Sequence, residues 1–151
     1  MKTLAVLLVA LISPFALAHG HGQPTAGHHL IFAGGALHAH ISWVQGPALS
    51  PNESILRVQW MDSATHTPIE PGGSFAIEPF MPAHGHGTAP VPAPAAVLDQ
   101  KGDILLGAYN VNGIYFTMGG AWEIRLHRQA PDGTIETQSF TEEIQGGHGH
   151  H

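Results

Sequence analysis

Between positions 36 and 144 apolar and polar residues alternate in short runs, and each run sorts its side chains onto the two faces of an extended strand. In ALHAHISW (36–43), Leu37, Ala39, Ile41 and Trp43 share one face, while His38, His40 and Ser42 share the other. SILRVQWMD (54–62) sets Leu56, Val58 and Trp60 against Arg57 and Gln59. A strand from Phe75 to Met81 follows, and GIYFTMGGAWEIRLH (113–127) reads as two strands around Gly119-Gly120, a dipeptide that permits the positive φ angles of a tight hairpin. In the second of these, Trp122, Ile124 and Leu126 point inward and Glu123, Arg125 and His127 outward. A last strand, Thr134 to Glu143, follows the turn Pro131-Asp132-Gly133. TAPVPAP (88–94) has three prolines, which cannot donate to a ladder, and is expected to be an extended surface loop. No helical period is sustained. The pattern predicts an all-β sandwich of about seven strands over residues 30–145.

The two ends depart from this pattern. Met1-Lys2, the apolar run Leu4 to Leu17 and the small-x-small site Ala16-Leu17-Ala18 are the parts of a secretory signal peptide over residues 1–18. Its apolar part is shorter than the roughly 20 residues of a membrane span and is broken by Ser13-Pro14. The expected product is periplasmic or secreted and does not span the membrane once the signal is cleaved. HGHGQPTAGHH (19–29) and GGHGHH (146–151) have little to bury and read as flexible His/Gly-rich tails. The chain has no cysteine, so it has neither disulfides nor thiolate ligands and nucleophiles. The formal charge is −6, and Arg57, Lys101, Arg125 and Arg128 are scattered. That argues against nucleic acid, whose phosphates need clustered cations. Histidine is the unusual residue, at 13 against 5 for lysine and arginine together. Imidazole ligates metals and titrates near neutrality, which points to metal binding or a response to pH.

Three groups of side chains could hold a metal. MPAHGHG (81–87) offers the thioether of Met81 and the imidazoles of His84 and His86 at the end of a strand, with Gly85 between the histidines to let the chain bend. Sulfur favours Cu(I), and imidazole accepts Cu(I), Cu(II) or zinc. Met118 supplies a second sulfur if its segment lies beside this one; otherwise both methionines are core fillers. His38 and His40, two apart on a strand, project from the same face and can chelate one ion or join the first group; alternatively they are solvated. Cleavage after Ala18 leaves His19-Gly20-His21 at the new N-terminus. Its amine, two amides and the His21 ring can wrap Cu(II) or Ni(II) in a square plane, and alternatively the amine and ring of His19 can form a two-toothed brace. His148, His150 and His151 add weaker, less selective donors.

FMPAHGHG (80–87) followed by GAYNVNGIYFTMGGAWEIRL (107–126) resembles the FixH-like/YtkA-like family of exported or membrane-anchored β-sandwich domains. The pattern of that family runs Met-Pro-x-Met-x-His-Gly, then Gly-x-Tyr, then Phe-x-Met-x-Gly-x-Trp. Met81, Pro82, His86, Gly87, Gly107, Tyr109, Phe116, Met118, Gly120 and Trp122 stand at the matching positions. The likeness covers roughly residues 36 to 128. It implies an immunoglobulin-like sandwich associated with copper handling or copper-oxidase assembly, and no known enzymatic activity; a membrane protein is a candidate acceptor or donor of that copper. His84 stands where the pattern has methionine, which makes the donor set harder and favours mixed imidazole/thioether coordination.

Catalysis has little support. No serine lies in a Gly-x-Ser-x-Gly context and no carboxylate pair is recognisable. Copper polysaccharide monooxygenases also use an N-terminal histidine brace, but this chain is short for such an enzyme and lacks an evident aromatic platform. The expectation is an exported copper-binding protein for storage, buffering or delivery, not an enzyme. The alternatives are a protein-interaction module in a membrane-complex assembly system and a zinc or nickel buffer.

Overall fold

In the strand Ser54–Asp62, buried Ser54, Leu56, Val58 and Trp60 alternate with half-buried Ile55, Arg57, Gln59 and Met61. Packing on one face imposes that period of two. This strand is the third of nine in a computed structural model that describes residues 27–146. In chain order the strands are β1 (His28–Phe32), β2 (Leu37–Gln45), β3 (Ser54–Asp62), β4 (Ser74–Met81), β5 (His86–Gly87), β6 (Ala93–Leu98), β7 (Ile104–Ile114), β8 (Gly120–Gln129) and β9 (Ile135–Ile144). They form two antiparallel sheets, ordered β1-β2-β3-β7-β6 and β5-β4-β8-β9. Setting β1 aside, β2 to β9 take the A-B-E-D and C′-C-F-G orders of an immunoglobulin-like sandwich. Strand β1 is an addition, joined to β2 through a short turn at Ala33–Gly35 and paired along its length, with His29 opposite His40 and Ile31 opposite His38.

The inner faces meet in a core that includes Phe32, Ile41, Leu56, Trp60, Ile77, Phe116, Trp122 and Ile124, each no more than 1% exposed. Trp60 packs on Phe32 and Phe75, and Trp122 on Phe116, at centroid separations of 5.2–5.5 Å. The side where β9 faces β1 and β2 is closed by hydrogen bonds and a ring stack. The Ala33 amide donates to Glu136 at 2.8 Å, the Trp43 indole donates to Glu142 at 3.0 Å, and the His28 ring stacks on Phe140 at 3.9 Å. Among the described residues no helix is long and apolar enough to cross a membrane.

The structure differs from the sequence expectation in four places. Nine strands replace about seven, because β1 and the two-residue β5 were too short or too close to a tail to show a period. His28 and His29 belong to β1 and not to a tail ending at residue 29. Residues 113–127 do not form a tight hairpin. Strand β7 bonds to β3 and β6 and β8 bonds to β4 and β9, so residues 115–119 cross from one sheet to the other, with Phe116 buried between them and bridged to Leu49. The proline-rich loop is shorter than expected, since Ala93 and Pro94 pair with Asn112 and Val111 in β6. Proline is tolerated there because β6 is an edge strand. The signal segment 1–18, His19 and His21, and the C-terminal histidines 148, 150 and 151 lie outside the described residues.

The Gly-x-Tyr element has a local physical cause. Gly107 has φ +67°, and a Cβ there would stand 2.3 Å from the Ile69 carbonyl oxygen and 2.9 Å from that of Trp60. Its amide donates to Glu70 at 3.1 Å, and the Tyr109 hydroxyl donates to the same carboxylate. Gly107→Ala therefore combines a left-handed backbone with a backbone clash, and we expect it to lower stability by about 2–4 kcal/mol. Urea unfolding followed by tryptophan fluorescence measures this. Tyr109→Phe, which keeps the ring, should cost about 1 kcal/mol.

Candidate functional site

The β1–β2 pairing that buries Leu30, Phe32, Ala39 and Ile41 on the inner side necessarily turns His29, His38 and His40 outward together. The chain leaving β3 folds back over this surface. Asp62 anchors the return by accepting from the Ala64 and Thr65 amides at 2.9 and 2.8 Å and from the Thr65 hydroxyl at 3.0 Å, and the Ser63 amide donates to the Ala36 carbonyl at 3.0 Å. The turn carries His66 to the cluster. Four imidazoles, from β1, β2 and this turn, thus share one depression with Ile31, Gly35 and Ser63. The ring centroids are 4.0 Å apart for His29–His40, 4.7 Å for His38–His40, 5.8 Å for His38–His66 and 6.3 Å for His29–His38.

The cluster has few polar partners. His38 Nδ1 lies 3.0 Å from the Ser63 hydroxyl. His40 Nε2 is buried without a hydrogen-bond partner, a condition that native interiors seldom leave unexplained. Burial lowers the pKa of both rings, and the neighbouring charges of His66 and His29 at His38, and of His29, His38 and His66 at His40, push the same way; Asp62 opposes weakly at His38. The rings are therefore held neutral, the form that ligates metals. By contrast His127 is engaged with Glu78 at 2.9 Å and Thr137 at 2.7 Å, on a face where Arg125 pairs with Glu123. Two imidazoles bound to one ion at the usual 2.0–2.1 Å have centroids about 4.5–5.2 Å apart. The cluster brackets this spacing. Among the described residues, no three or more His, Asp or Glu side chains already hold their donor atoms around one centre. Coordination therefore requires the rings to turn about their side-chain bonds.

The second group forms at one end of the sheet β5-β4-β8-β9. Strand β4 ends at Met81, the chain turns with Gly85 at φ +68°, and His86 comes back opposite Met81 in β5. The His86 ring meets the Trp122 ring edge-on at 5.8 Å, and the Trp122 indole donates to the Met118 carbonyl at 3.1 Å. The Met81 methyl lies 3.3 Å from where a Cβ on residue 120 would stand, so glycine there leaves it room. Through Gly120 and Trp122 the segment that carries Met118 lies beside 81–87. Met81 is 3% exposed and Met118 is half-buried against the core, while His84 is exposed in the turn with its ring 5.8 Å from that of His86. His38 and His40 do not join this group. They face outward from β2, whereas Met81 faces inward from the opposite sheet, so the backbone of a sheet separates the two.

Sequence reasoning missed His29 and His66. His29 was legible: Leu30 and Phe32 alternate with His29 and Ile31, and the Ala33-Gly34-Gly35 turn sets that run against residues 37–41. His66 carried no local signal, since its place depends on a turn folding back over a sheet.

The sequence matches no family model, and no curated protein sequence matches it. Among solved structures, a DUF4426 family protein from Pseudomonas aeruginosa PAO1 is similar, with a TM-score of 0.55 and 16% identity over 80% of this chain and 96% of that one. At that identity the likeness shows a common fold alone.

The lowered pKa values set a direction for stability. Unfolded histidines titrate near 6.5 or about that value, and these two protonate only at lower pH in the folded chain, so the unfolded state binds more protons in between. Their contribution is complete above the unfolded value and is lost as pH falls through it toward the folded ones. Urea midpoints should drop between pH 7.5 and pH 5.5, and His38→Gln with His40→Gln should flatten that difference.

Proposed function

We propose that this chain is an exported copper-binding protein that stores, buffers or delivers copper, acting as a carrier and not as an enzyme. The observation that supports this reading is the approach of the segments 81–87 and 118–122: the His86 ring meets the Trp122 ring, and the Met81 methyl reaches Gly120, two residues after Met118. Two thioethers and an imidazole are neutral donors suited to Cu(I), and a half-buried position shields a monovalent ion from water. Bound copper would draw on Met81, Met118 and His86, with His84 at the exposed rim. On this reading a membrane protein would give or receive the copper, as proteins of the FixH-like/YtkA-like kind would require.

A second reading, a protein-interaction module, is favoured by one specific feature. Val91, Leu98, Ile104, Leu105 and Leu106 are 42–81% exposed around β6 and β7, at an edge of the sandwich. Exposed apolar surface of this kind often marks an interaction site. The two readings separate under substitution, since a module keeps its contacts without a metal donor.

Titration of Cu(I) against a chromogenic chelator tests the leading reading. His86→Gln combined with Met118→Leu, a change that nearly conserves side-chain volume, should weaken Cu(I) binding by about 100-fold. Unchanged affinity in a folded double variant would remove this group as the copper site.

A further inference from the structure

We infer that His29, His38, His40 and His66 form a second metal site, specific for a borderline divalent ion, Cu(II) or Zn(II), and independent of the thioether group. Three observations carry this. The four rings come from three separate segments, β1, β2 and the turn after β3, and their spacings of 4.0–6.3 Å bracket those of imidazoles sharing an ion. His40 Nε2 is a buried nitrogen with no partner, which a metal would supply. The contact of His38 Nδ1 with Ser63 engages one ring nitrogen and leaves Nε2 to meet an ion once the rings turn.

The backbone at His66 adds a fourth. His66 has φ +54°, a left-handed conformation that costs a residue with a Cβ on the order of 1 kcal/mol and that asparagine or glycine would adopt more readily. A left-handed backbone is uncommon for a residue with a Cβ, and here it carries the His66 ring to 5.8 Å from that of His38, as a shared ion would require. With imidazole donors only, the site is harder than the Met81–His86 group and favours the divalent ions that bind nitrogen over Cu(I). An ion held here would tie the added edge strand β1 to β2 and to the 62–68 turn.

The test uses the full-length chain with its tail histidines (His19, His21, His148, His150 and His151) replaced by serine, so that the tails do not compete. Zn(II) and Cu(II) are titrated separately by competition, with imidazole resonances followed for Zn(II) and paramagnetic broadening for Cu(II). The expected result is one ion per chain, with His29, His38, His40 and His66 perturbed together. His38→Gln with His40→Gln should lower affinity at least 100-fold. His66→Asn should lower affinity about tenfold while leaving the urea midpoint equal or higher, which separates ligation from folding. Met118→Leu should leave this binding unchanged, so loss of the Cu(I) site and loss of this one are distinguishable. Absence of divalent-ion binding once the tail histidines are gone, or binding that leaves these four rings unperturbed, would overturn the inference.

Discussion

The structure depends on filling the space between two sheets without a disulfide. Trp60 and Trp122, both fully buried, occupy that space from opposite sheets, with Phe32, Phe75 and Phe116 against them. Aromatic side chains of this size bury about 150–250 Å² each, or roughly 4–6 kcal/mol of transfer free energy before conformational entropy is counted. The Trp60 indole nitrogen has no hydrogen-bond partner, a cost accepted for the packing. Because the inner faces are committed to this core, the side chains at alternate positions are committed to the outside. His29, His38 and His40 cluster for that reason: Leu30, Ala39 and Ile41 must be inside.

The same constraint separates two kinds of donor. Met81 and Met118 pack on the core side, where neutral, polarisable groups are tolerated, and His86 comes opposite Met81 because β5 folds back on β4 at the end of the sandwich. The imidazoles of His29, His38, His40 and His66 sit on the outer side, beneath a turn held by Asp62. The two methionines and the four clustered imidazoles are thus divided by a sheet.

Much of the fold was legible because a period of two needs only local sequence. The faces of β2, β3 and β8 follow directly from it, as does the single inward surface that makes a sandwich. Errors arose where geometry is nonlocal. Gly119-Gly120 has the composition of a hairpin turn, but β7 already has partners on both sides, so the chain must cross to the other sheet. His29 was grouped with a tail because its neighbours are glycine- and histidine-rich, although pairing with His40 makes it a strand residue.

The residue types that bind soft and borderline metals, their absence of cysteine, and the alternation that builds an all-β sandwich were determined by sequence alone, because composition and a two-residue period are properties of neighbouring positions. Which histidines meet was decided by the tertiary structure. His38 and His40 point the same way in any strand, but whether they face Met81, solvent or two further imidazoles depends on which sheet β2 joins, on β1 pairing at its edge and on the turn that brings back His66. Those are contacts between segments far apart in the chain, and the hydrophobic core that aligns the segments specifies them.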